Sequence, residues 1–197
     1  MRWTGSAAAA VIVTATLAAL AGCDKPKARA PASSEGLPPI AGAQPSPAAQ
    51  PAWRPPPAKA STAPLPAEPD WAGALLGKSV KTAFPKSGAG DCVGNTDLVD
   101  FRYVGATPGV MIEGWAWDRV ARQPVAHIIL VDRDGQIVGG GETGTPRPDV
   151  TASQKTVTSP RTGWKAVTPV TTGVLQAFGV VGDGRTTCTL GQIDLGH

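Results

Sequence analysis

Thirteen of the chain's 20 prolines lie between Asp24 and Asp70, and with 12 alanines they make up 25 of those 47 residues. A proline ring fixes φ and removes the backbone donor, so such a stretch forms no regular ladder or helix. It favours extended polyproline II and lacks the apolar side chains needed for a core. The composition therefore predicts a disordered Pro/Ala-rich linker over 23–70. At about 3.1 Å per residue it would reach about 145 Å if fully extended, and far less as a coil. Compact folding is left to the 127 residues from Trp71 to His197, a common size for one domain. This portion holds 12 Lys/Arg against 11 Asp/Glu. Near-neutrality lacks the basic footprint of a nucleic-acid binder, and no nucleic-acid partner is expected.

The amino terminus reads as an address. Arg2 is followed by an apolar run over 7–20 and then by small residues, the layout of a secretory signal over 1–22. The run is short for the roughly 20 residues an uncleaved membrane helix needs. An ordinary secretory signal with a coincidental cysteine is the other competing reading. Leu20-Ala21-Gly22-Cys23 resembles the lipobox of bacterial lipoproteins. That resemblance implies cleavage before Cys23 and lipidation there, palmitate included, with the membrane as a partner through the acyl chains. At about 0.8 kcal/mol per buried methylene, several chains hold where one does not. Asp24 is similar to the inner-membrane retention signal of enteric lipoproteins. The expected location is the cell envelope, facing the periplasm or the cell surface, with the inner membrane favoured. In the linker, Trp53-Arg54-Pro55-Pro56-Pro57 is the best candidate for docking a proline-recognition module, although such tracts are usually solvated spacers.

Residues 71–91 form a lead-in whose Trp71, Leu75, Leu76, Val80 and Phe84 fit helical spacing over a short run. From Cys92 the pattern turns to β-structure. Apolar, β-branched runs over 98–104, 110–117, 125–132, 136–139, 163–167, 174–181 and 185–190 alternate with Gly and Pro punctuation. Asp134-Gly135 and Asp183-Gly184 each separate two such runs, and Asp-Gly suits the positive φ of a hairpin turn. About seven short strands and no convincing long helix predict an all-β domain over 92–197. Its expected form is a single antiparallel sandwich or small barrel. Residues 140–163, rich in Thr, Ser and Pro, are expected to be a long loop suited to binding.

With Cys23 assigned to lipid, Cys92 and Cys188 remain. In an oxidising compartment an even pair near the two ends of a domain reads as a disulfide. A redox or metal role is weak, since there is no Cys-x-x-Cys and only His127 and His197 could assist. Trp115 and Trp117, two apart in a strand, share a face. With Trp164 they would make an aromatic platform for sugars or a peptide, unless they pack into the core as large aromatics generally do. Arg147-Pro148-Asp149 reads as a recognition loop or, more often for such trios, an Arg–carboxylate tie. Asp132 and Asp134 are similar to part of a calcium loop but lack its later ligands. Gly139-Gly140-Gly141 has no lysine to meet a phosphate. His127 sits beside an apolar run, where a satisfied strand histidine is the usual outcome. No catalytic motif, metal set or cofactor signature emerges, and an enzyme is not expected.

Gly114-Trp115-Ala116-Trp117-Asp118, Val131-Asp132, Asp134-Gly135, Arg147-Pro148-Asp149-Val150, Gly163-Trp164 and Asp183-Gly184 together resemble a small immunoglobulin-like β-sandwich module of bacterial envelope proteins. The resemblance covers about half the chain and implies fold and envelope context, with no catalytic residues. The expectation is a membrane-tethered, non-catalytic binding module for a protein or polysaccharide partner. The alternative is a structural accessory subunit of an envelope assembly.

Overall fold

A computed structural model of the chain describes residues 56–196. The signal peptide, Cys23, Asp24, Trp53, Arg54 and His197 lie outside the described residues. What is described is mostly β: nine strands and three short helices. The strands are β1 (Lys59–Ser61), β2 (Cys92–Tyr103), β3 (Gly109–Asp118), β4 (Gln123–Pro124), β5 (His127–Val131), β6 (Ile137–Thr145), β7 (Gly163–Thr168), β8 (Val174–Val181) and β9 (Thr186–Asp194). The helices are α1 (Asp70–Gly73), α2 (Val80–Ala83) and α3 (Pro148–Ser153).

All strands belong to one mixed sheet of order β1-β2-β3-β7-β6-β5-β8-β9, with β4 paired to β3. Both Asp-Gly pairs form hairpins. Gly135 (φ 78°) turns β5 into β6, and Gly184 (φ 66°) turns β8 into β9. At each turn an aspartate caps the exposed amides. Asp132 Oδ1 accepts from the N–H groups of Asp134 and Gln136 at 3.0 and 2.9 Å. Asp183 Oδ1 accepts from Arg185 and Thr186 at 2.9 and 2.8 Å. The two carboxylates that resembled part of a calcium loop are therefore turn residues.

Two expectations are corrected. The linker assignment over 23–70 runs too far, because β1 lies within it and pairs in parallel with residues 101–103 of β2. Residues 58–63 are the proline-free gap between Pro57 and Pro64, so their N–H groups are free to pair at a sheet edge. The loop assigned to 140–163 is half strand and helix, since β6 continues to Thr145 and α3 follows. The Gly139-Gly140-Gly141 run marks close packing instead of a turn. A Cβ at Gly139, Gly140 or Gly141 would meet Val167 O, the Ala72 Cβ at 2.7 Å, or Lys165 O respectively.

Alternation along the strands divides the sheet into two faces. The inner face holds the main core: Val110, Ile112 and Ala116 of β3, Ile128 and Leu130 of β5, Trp164 and Ala166 of β7, Leu175 and Ala177 of β8, with Cys188 and Leu190 of β9. Two smaller clusters cover the outer face. Ile129, Val131, Ile137 and Val180 lie under Val80 and Phe84 of the α2 segment. Trp115 and Trp117 lie under Val150 of α3 and Val157.

No ladder joins β2 to β9 among the described residues, so the sheet is not closed. Its ends are nevertheless held together. The sulfurs of Cys92 and Cys188 are at bonding distance, with Cα atoms 5.9 Å apart, inside the disulfide range. Further along, Arg102 donates Nη1 to Thr171 O (3.1 Å) and Nη2 to Leu195 O (2.6 Å).

Candidate functional site

The three tryptophans proposed as a platform are separated by one step of strand register. Trp115 opposes Gly163, and Gly114 opposes Trp164. Opposed residues share a face, so Trp164 projects with Gly114 into the inner core while Trp115 and Trp117 project outward. They are 9 %, 2 % and 1 % exposed for Trp115, Trp117 and Trp164. Gly114 makes room for the Trp164 indole: a Cβ there would overlap its ring and Asn95 O. No common aromatic platform exists, and the physical reason is the odd spacing across the β3–β7 pair.

Arg147, Asp149 and Asp97 form an ion cluster at the base of α3. Arg147 donates Nε to Asp149 Oδ1 (2.9 Å), Nη2 to Asp149 Oδ2 (2.7 Å) and Nη1 to Asp97 Oδ2 (2.5 Å). The fork to Asp149 holds the Arg147 guanidinium protonated well above its ordinary range, and the same fork pulls the Asp149 carboxyl below its ordinary value. Only the partnership with Asp97 of β2 was not legible from sequence spacing. The cluster ties α3 to the sheet across the surface of β2.

A second polar group spans β1, β2, β3 and β7. Asp100 accepts from Lys59 (3.1 Å) and lies 3.5 Å from the ammonium of Lys165, which also pairs with Glu113. Glu113 raises the Lys165 pKa, against the opposing pull of desolvation. Burial pushes Asp100 up, but hydrogen bonding with Glu113 and Lys59 and the nearby ammonium charges leave it below its ordinary value. His127 stacks on Trp71 with ring centroids 4.4 Å apart. Its Nδ1 is buried and has no protein partner. These groups are matched to each other or enclosed. Among the described residues no three His, Cys, Asp or Glu side chains cluster as metal ligands.

A different arrangement lies beside the β3–β4 turn. Asp118, itself buried, accepts on Oδ1 from Val120 N and Ala121 N, both at 2.9 Å. This side-chain cap fixes the turn and places Arg119 and Arg122 at its two ends. Across a cleft of about 510 Å³ stands the segment after α3, with Lys155, Thr156 and Thr158, while Trp117 forms the floor. No acidic residue lines the cleft. Sequence reading missed it because its two sides are more than thirty residues apart and neither carries a motif. The only local signals were two arginines in a short turn and a lysine followed by two nearby threonines.

No family model matches the chain, and comparison with curated proteins and with solved structures yields no match.

Proposed function

We propose that the chain is a cell-envelope lipoprotein, held to a membrane through Cys23, whose β domain is a non-catalytic binding module for an envelope partner. The observation that carries this reading is the cleft beside the β3–β4 turn, which gathers three cations on a sheet whose ends are latched. Two other charged groups, Arg147–Asp97–Asp149 and Lys59–Asp100–Lys165–Glu113, are committed to one another. Groups so matched serve cohesion, whereas an unmatched group of like charges at the surface favours a partner of opposite sign. We also read the sheet as an open variant of the sandwich or barrel that the strand pattern leads one to expect. Its support is the approach of β2 to β9 at the disulfide.

The test has two readouts. Cells fed an alkyne palmitate should label the wild-type chain, and Cys23→Ser should abolish labelling and release the protein to the soluble fraction. The wild-type domain should also sediment with isolated envelopes stripped of intact membrane. An unlabelled, fully soluble wild-type protein would overturn the tether, and failure to sediment would overturn the binding role.

A further inference from the structure

We infer that the cleft lined by Arg119, Arg122, Lys155, Thr156 and Thr158 binds an acidic saccharide, one bearing carboxylate or phosphate groups. The inference deepens the binding-module reading above and rests on it.

The argument begins with charge. Three cations face a cleft of about 510 Å³ with no acid in its lining, a volume within the range of small-ligand sites. Among the described residues, Arg122 and Lys155 take part in no ion pair. Arg119 meets Asp91 outside the cleft at 3.4 Å, and both side chains are more than half exposed. Such a surface pair contributes about 0–1 kcal/mol, so a ligand anion readily displaces it.

Backbone strain supplies an independent observation. Arg122 sits at φ 54°, alone among the non-glycine residues described in having positive φ. A side chain in the left-handed region costs about 1–2 kcal/mol, a cost that glycine avoids. Strained residues of this kind cluster at ligand sites, and this one is a cation facing a cleft. The turn needs no ligand to keep this shape, because the Asp118 cap already fixes it.

The lining chooses among anions. Guanidinium forks match carboxylate and phosphate oxygens, and the lysine adds a point charge. Thr156 and Thr158 bring hydroxyls suited to sugar hydroxyls. Trp117, at 2 % exposure, offers no ring face, which disfavours an aromatic or strongly apolar ligand. An extended acidic peptide would seek a free strand edge. The nearest edge is the two-residue β4, whose second residue is Pro124 and lacks a donor.

Calorimetric titration of the full chain in detergent tests the inference with trigalacturonic acid and maltotriose phosphate, which separate carboxylate from phosphate. Maltotriose and triglutamate are the controls. At least one acidic sugar should bind, at least about tenfold more tightly than either control, and weaken steeply as salt rises. Arg122→Gly and Lys155→Gln should each weaken binding about tenfold, with the melting temperature of Arg122→Gly equal to or above wild type. Equal binding of maltotriose or triglutamate, unaltered affinity in both variants, or no binding of either acidic sugar would overturn the inference. In the last case, sedimentation with isolated envelopes distinguishes the failures. Retention leaves the binding-module reading standing, and loss of retention ends both.

Discussion

Removing the Cys92–Cys188 bridge tests how the sheet is held. The two residues are 96 apart in sequence. For a loop of that length the chain-entropy relation gives about 16 cal/mol/K, or about 4.7 kcal/mol at 25 °C, through restriction of the unfolded state. A typical domain is stable by only about 5–15 kcal/mol, so the double variant Cys92→Ala/Cys188→Ala should be marginal. The native state contributes too. The bridge joins β2 to β9, between which there is no ladder, and Cys188 is buried among core side chains. Deleting its sulfur adds a small cavity cost. In urea, followed by far-UV circular dichroism, the midpoint should fall by about 2–3 M, and the m-value should rise because the unfolded chain opens further. Amides of β9 should lose exchange protection before those of β5 and β7, which lie inside the sheet. A midpoint shift under about 0.5 M, or uniform loss of protection across the strands, would refute the view that this bond latches the open side of the sheet.

The remaining predictions concern packing and charge. Gly114→Ala should destabilise by at least about 2 kcal/mol in urea melts, because its Cβ would overlap Asn95 O and the Trp164 ring. Gly182→Ala, whose Cβ would meet only Asp118 Oδ2 at 3.9 Å, should stay within about 0.5 kcal/mol. Equal effects at the two glycines would count against the register described. Arg147→Ala should cost about 1–2 kcal/mol in thermal melts by stranding the half-buried Asp97, and Arg147→Lys should recover only part, since one ammonium cannot make both the fork to Asp149 and the bond to Asp97. Full rescue by lysine would contradict that geometry. Asp100 and Asp149 titrate below their ordinary 3.8 in the folded chain. Their stabilisation is thus present above that value and lost as pH falls through the lower folded values. Lys165 titrates above its ordinary 10.5, so its contribution is present below that value and lost as pH climbs through the raised one. Urea midpoints should be flat from about pH 5 to about pH 9 and fall outside both limits. A sloping midpoint across that plateau would show that other groups govern the titration.

What the chain's order of residues determined by itself was local. Asp-Gly dipeptides require a positive-φ turn wherever two apolar strands flank them, and both hairpins formed there. Apolar β-branched runs located the cores of the main strands, because alternation is a property of one segment alone. The spare cysteine pair was legible from parity. Where local signals were silent or misleading, contacts between distant segments decided. Gly140 and Gly141 read as the start of a loop, yet α1 and β7 approach so closely there that only glycine fits. Residues 59–61 gained a strand from β2, a partner some forty residues away. The faces taken by Trp115 and Trp164 followed from register between β3 and β7, which neither strand encodes alone. The cationic cleft arose in the same way, from a turn and a post-helical segment brought together across the sheet's outer face. Spacing along a chain fixes side-chain direction within an element, whereas proximity between elements depends on which strands pair and in what register.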